Sequence, residues 1–170
     1  MAEKRIQTDM TSGTPWKIIL NFTVPIFIGN LFQQFYSMAD TVIVGKFVGT
    51  GALAAVGSVG TIMFLILGFL QGLTAGFSVL TAQRYGAQDM NGMRKTVGTA
   101  AVLSLLVTVL MTAGSMLGMR SLLEFMNTPE DIFQDAYTYI MIICAGTVAT
   151  VLYNLLSGIL RALGDSKTPL

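Results

Sequence analysis

Long stretches without a single charge decide what this chain can become. Four such runs, Ile18–Ala39, Phe47–Gln83, Thr96–Met119 and Ala136–Leu160, hold 22, 37, 24 and 25 residues. A helix needs about 20 mostly apolar residues to cross the hydrocarbon, and only a helix or a closed barrel bonds all of its own backbone there. Barrel strands would alternate in polarity over about ten residues, and these runs do not. The spacing predicts an all-α integral membrane fold with four transmembrane helices at about 17–45, 53–83, 94–119 and 133–161. The 37-residue run is read as one long tilted helix, because a turn near Gly57–Gly60 leaves too few residues before it for a span.

Composition narrows the function. Charged residues make up 11% of the chain, against about 25% in soluble domains, and the net charge of +1 gives no basic surplus for nucleic acid. There is no His to serve as a general acid or base near neutral pH. The lone Cys144 excludes an internal disulfide and a Cys-rich zinc site. Gly49-Thr50-Gly51-Ala52-Leu53-Ala54 fits a loose dinucleotide fingerprint, yet no Asp or Glu between Asp40 and Asp89 could meet a ribose. Gly45-Lys46 lacks the rest of a phosphate loop, and the sequon at Asn21 lies within a span. Without a paired base and nucleophile, the chain is not read as an enzyme, and no cofactor or certain metal site is expected.

Orientation follows from Lys and Arg in the short connections. Lys4, Arg5, Lys17, Arg84, Arg94, Lys95, Arg161 and Lys167 fall on one side, and Lys46 and Arg120 on the other. Both termini are therefore expected in the cytoplasm, with residues 1–16 as a cytoplasmic tail. Gly68, Gly72 and Gly76 recur every four residues, a spacing expected to let helix backbones pack closely, and Gly114 and Gly118 form a second such pair.

The polar residues inside the spans carry the functional signal. At 100° per residue, Pro25, Gly29, Gln33, Tyr36 and Asp40 share one face of the first span. A carboxylate within a span usually faces a bundle interior or a cavity, although an interfacial Asp40 paired with Lys46 or water would also fit. Pro25 marks a helix kink, because its ring frees a backbone carbonyl that then needs a polar partner. The second span offers Gln71, Thr74, Ser78 and Tyr85. The fourth offers Tyr139, Gly146, Thr150, Asn154, Ser157 and Arg161 along one face. Three stripes on four spans point to a shared, partly hydrated cavity, with Gln33, Tyr36, Gln71, Tyr139, Thr150 and Asn154 as its lining. Arg161, near a helix end, is read as snorkelling.

These residues also resemble a known family. The segment from Pro25 through Tyr36 and Asp40 to Gly49, then Ala52-Leu-Ala-Ala-Val-Gly57, Gln83-Arg-Tyr-Gly86-Ala, and the ending from Tyr153-Asn154 to Pro169 are similar to the multidrug and toxic compound extrusion (MATE) transporters. The likeness runs from about Thr14 to Leu170. It implies a transporter of about twelve helices in two six-helix lobes, exporting cationic or amphipathic compounds in exchange for H⁺ or Na⁺ across the cell membrane. Residues 17–170 would then be a partial N-terminal lobe, an incomplete front portion whose partners are the bilayer, its small-molecule substrates and the missing C-terminal helices. The motif match implies that Asp40 is the cation-coupling carboxylate, with Na⁺ binding there as one option. Tyr36 matches the aromatic one turn earlier, Asn154 a polar position in helix four, and Tyr139 is a looser match. A lipid-linked-sugar flippase of related fold and a small non-transporting membrane scaffold are the alternatives.

The charge asymmetry generates a direct test of topology. With cysteines introduced one at a time, an impermeant external reagent should label positions 126–130 and miss positions 88–92. Strong external labelling at 88–92 inverts the orientation.

Overall fold

The computed structural model describes residues 13–169, so most of the expected N-terminal tail, including Lys4 and Arg5, lies outside the described residues. Four long helices fill the remainder: α1 (Pro15–Ile43), α2 (Thr50–Gly86), α3 (Met90–Phe125) and α4 (Glu130–Ala162). All four are long and apolar enough to cross a membrane. At 1.5 Å per residue the 37 residues of α2 extend about 55 Å, well beyond a hydrocarbon core of about 30 Å. The helices thus continue past the uncharged runs into the charged loops.

One feature was not legible beforehand. The first span does not run smoothly to residue 45; it passes into a five-residue π-helical turn, Val44–Val48, and Gly49 then caps the start of α2 at Thr50. Gly49 has φ of 115°, a conformation that glycine reaches without the penalty a Cβ would bring.

The other helix ends are closed by local chemistry. After α2, α3 and α4 the chain enters the left-handed region at Gln88, Asn127 and Gly164. In each case the next amide reaches back to a carbonyl five residues earlier: Asp89 to Arg84, Thr128 to Leu123, Asp165 to Leu160. This Schellman closure satisfies carbonyls that a helix otherwise leaves orphaned. Asp89 then caps α3, its Oδ1 accepting from the Gly92 amide at 2.8 Å while Oδ2 pairs with Arg84 at 3.0 Å. Beyond α4, the Asp165 carboxylate accepts from the Lys167 and Thr168 amides and the Thr168 hydroxyl. The Tyr153 hydroxyl donates to the Pro169 carbonyl at 2.8 Å and ties this last segment back to α4.

α2, α3 and α4 pack together, with α2 against α4 the most extensive contact. Their buried residues form helical stripes: Ala55, Val59, Ile62, Ile66 and Leu70 on α2 meet a core that includes Ile132, Ala136, Ile140, Cys144 and Val151 on α4 and Met119 and Leu123 on α3. α1 differs, because none of its residues is buried and its packing is chiefly on the π turn.

Among the described helices the close approach of backbones falls elsewhere than on the regularly spaced glycines. A Cβ placed on Gly68, Gly72, Gly76, Gly114 or Gly118 would meet open space among the described residues. These glycines point away from the stripes that pack. The tight crossing is at Gly158, where an added Cβ would collide with the Ser78 hydroxyl and crowd its Cβ at 3.1 Å.

Two outcomes follow from these contacts. Gly158→Leu should lower stability by about 1–3 kcal/mol through overpacking, whereas Gly72→Ala in this chain should cost nothing. Detergent-phase unfolding measures both, and Ser78→Gly should recover part of the Gly158→Leu loss if the two side chains compete for the same space. Separately, hydrogen bonds, those from Thr168 foremost, hold the Asp165 carboxyl below its ordinary value of 3.8. A depressed folded-state pKa stabilises above the unfolded value and is lost as pH falls through the folded one. Docking of residues 165–169, read by protease protection, should therefore hold above the ordinary carboxylate value of 3.8 and weaken as pH falls beneath it, and Asp165→Asn should flatten that dependence.

Candidate functional site

The polar stripes of α2 and α4 meet. A cavity of about 500 Å³ lies between them, with Gln71, Thr74 and Ser78 from α2, Asn154 and Arg161 from α4, and Phe22 from α1 on one wall. Ala75, Val79, Ala82, Gly158 and Ala162 supply the apolar remainder. Sequence periodicity alone put Gln71 and Asn154 on such a lining, and the structure brings them together.

The hydroxyls on α2 are already committed. Thr74, 2% exposed, directs its proton to the carbonyls of Leu70 and Gln71 at 3.1 and 3.0 Å. Ser78 donates to the Thr74 carbonyl at 2.9 Å, and Thr81 to that of Phe77 at 2.8 Å. Bonding back into the helix removes the cost of an unpaired buried donor. What these hydroxyls still offer the cavity is lone pairs. Gln71 and Asn154 add amides that can both donate and accept.

Arg161 adds a cation to this wall. It is half-buried on the cavity wall, and its Nε is shielded and has no partner among the described residues. Its membership of the α4 polar face was the available signal. The sign of the cavity follows: amides, hydroxyl lone pairs and one guanidinium, with no carboxylate on its wall. Such a lining can hold an amphipathic solute by hydrogen bonds. Among the described residues no cluster of three His, Cys, Asp or Glu could hold a metal ion.

The α1 stripe stands apart from this cavity. Gln33, Tyr36 and Asp40 are all exposed, Tyr36 at 73%. Ser37 donates to the Gln33 carbonyl at 3.1 Å, and Thr41 to the Ser37 carbonyl at 2.9 Å. Asp40 forms no ion pair with Lys46 or any other described residue. Its backbone carbonyl accepts from the Val44 amide, which places it at the junction where α1 becomes π-helical. Single π turns recur at functional sites, because the wider turn redirects the residues beside it. Pro25 sits inside α1, which remains one helix from Pro15 to Ile43; having no N–H, it leaves the Asn21 carbonyl without its helical partner.

Two expected lining residues lie elsewhere. Tyr139 is half-buried and packs against the α2–α3–α4 core, and Thr150 is half-buried on α4; neither lines the cavity. Phe22 does, although an apolar residue in an apolar span carries no distinguishing signal.

Comparison with known proteins agrees with this architecture. YpnP of Bacillus subtilis, a probable multidrug resistance protein, is 33% identical over 162 residues, covering 95% of this chain and 36% of that protein. YoeA of the same organism, likewise a probable multidrug resistance protein, is 30% identical over 154 residues, 91% of this chain and 33% of its own length. A MOP superfamily transporter from Pyrococcus furiosus superposes with a TM-score of 0.89 at 30% identity, over 99% of this chain and 37% of that one. An outward-facing multidrug resistance MATE family transporter gives 0.86 at 30% identity, over 99% and 37%. The chain thus spans about a third of the length of the relatives it matches. Residues 25–170 match the MatE family model, and with four apolar helices overlaying solved transporters of that kind, this chain belongs to the MatE family of multi-pass membrane transporters.

Proposed function

We propose that this chain is the partial N-terminal lobe of a secondary active transporter that exports cationic or amphipathic small molecules in exchange for H⁺ or Na⁺. The observation that carries the reading is the α2–α4 cavity, where polar groups from two helices meet in an otherwise apolar bundle. Multidrug resistance proteins among the relatives support it. A plasma-membrane location with both termini cytoplasmic completes the proposal, and the remaining helices of such a transporter would cover the exposed polar face of α1.

In this mechanism Asp40 is the coupling carboxylate. A proton or Na⁺ would neutralise it, and oxygen groups on the same face, Gln33 and Tyr36, could complete a sodium shell. The cation matters only through its differential affinity for two packings of the lobe, outward-facing and inward-facing. The π turn after Asp40 and the proline at position 25 bracket the part of α1 on which such a change would act. Gln71 and Asn154 would bind solute through their amides.

Arg161 favours a second reading, transport of a phosphate-bearing lipid-linked sugar, because a guanidinium suits a phosphate. One cation on the cavity wall against the several such a substrate calls for leaves that reading behind the first.

Asp40→Asn keeps the shape of the side chain and removes its charge and titration. In the whole transporter, drug efflux driven by an imposed ion gradient should fall to background at matched membrane expression. Wild-type efflux by that variant returns Asp40 to an ordinary interfacial residue.

A further inference from the structure

We propose that the groove between the end of α2 and the first turns of α3 binds the phosphate headgroup of an anionic phospholipid. This groove, about 520 Å³ in volume, is separate from the α2–α4 cavity and has no part in the transport mechanism above. Arg84 and Lys95 stand on its rim. The one carboxylate there, Asp89, has its charge engaged: Oδ1 holds the Gly92 amide and Oδ2 the Arg84 guanidinium. Both contacts, with Lys95 adding its charge, keep the Asp89 carboxyl ionised below its ordinary range. One Arg84 nitrogen is used in that pair, so most of its five N–H donors remain. Lys95 is exposed and pairs with no acid among the described residues. The rim therefore carries an uncompensated positive charge, to which the amino end of α3 adds its dipole.

Position and wall chemistry choose between a lipid and a free anion. Arg84 and Lys95 sit where the uncharged runs ending at Gln83 and beginning at Thr96 give way to the loop. That boundary is the headgroup level of a bilayer. Deeper on α2 the wall becomes apolar through Leu80 and Phe77, with Leu80 half exposed. Seven residues separate Phe77 from Arg84, about 10 Å along the helix. A phosphate held at the rim would thus have its glycerol beside the Thr96 and Thr99 hydroxyls and its acyl chains against Leu80 and Phe77. A soluble phosphate would use the rim and leave the apolar wall bare. Basic pockets between transmembrane helices recognise anionic lipid headgroups by this combination.

The test is native mass spectrometry of the full chain released from micelles containing equal phosphatidylglycerol and phosphatidylethanolamine. Wild type should retain phosphatidylglycerol preferentially. Lys95→Gln removes an exposed cation that bonds to nothing described, so folding survives, and the preference should drop about fivefold. Arg84→Gln should act similarly, and Arg120→Gln, at the far ends of the helices, should leave the preference intact. Equal retention of both lipids by wild type, or an unchanged preference in Lys95→Gln, overturns the proposal. Displacement of phosphatidylglycerol by a large excess of inorganic phosphate overturns the lipid assignment and leaves a soluble-anion site.

Discussion

Every backbone amide and carbonyl that enters hydrocarbon must find its partner within the chain, and the rest of this structure is arranged around that demand. It makes four helices the only economical solution for runs of 22 to 37 uncharged residues. It extends to the ends, where three successive helices close through the same left-handed turn, two of them on Gln88 and Asn127 rather than glycine. The cost of a non-glycine residue there is offset by the carbonyls the turn satisfies. The same demand reaches the side chains. Thr41, Thr74, Ser78, Thr81, Thr108 and Thr147 all donate to the carbonyl four residues earlier. Much of the hydroxyl polarity within the spans is thereby absorbed locally, although the buried Ser104 and Thr112 hydroxyls find no partner among the described residues.

Once each helix is self-sufficient, association is left to shape. Four consecutive spans alternate in direction, so α2 and α4 run parallel, and their shared face divides into two halves. Towards their beginnings it is apolar and tight, built from Ala55 to Leu70 against Ile132 to Val151. Towards their ends it turns polar, with Thr74, Ser78, Asn154 and Arg161. Gly158 brings the backbones together at Ser78 within that polar half, and the longer side chains of Gln71 and Arg161 flank the crossing. The apolar half holds the pair together, which leaves the polar half free to enclose a cavity.

This division explains what was legible in the sequence. The number of helices and their approximate extents followed from charge spacing, because a charge in hydrocarbon is costly wherever it points. Which apolar face packs did not follow: from Ile62 to Leu70 every residue of α2 is apolar or glycine, so Ile62 inside and Phe64 outside, 7% and 81% exposed, read alike. Glycine spacing alone does not tell which glycine meets another described helix, since Gly72 and Gly158 differ in what stands opposite them. Polar residues were more informative. Gln71 and Asn154 could be assigned to a lining because an amide among apolar neighbours has few places to go. Tyr139 misled, being large enough to pack through its ring against the core. The π turn at Val44–Val48 had no signature beyond Gly45 within it and Gly49 just after it.

α1 is the element whose role the packing leaves most open to an external term. It buries no residue and is joined to the others mainly through the π turn, with Phe22 alone reaching the α2–α4 cavity. Among the described residues α1 thus adds little to the α2–α3–α4 packing, and its exposed face is the one that the remaining helices of the proposed transporter would cover. In the proposed mechanism the coupling cation supplies that external term. Shifting two packings from 1:99 to 99:1 takes about 5.5 kcal/mol of differential affinity. Had Asp40 stood on α2 or α4, its neutralisation would have had to work against the tight apolar half of their interface. On α1, next to a turn that departs from regular helix, the proposed neutralisation would not have to work against that interface.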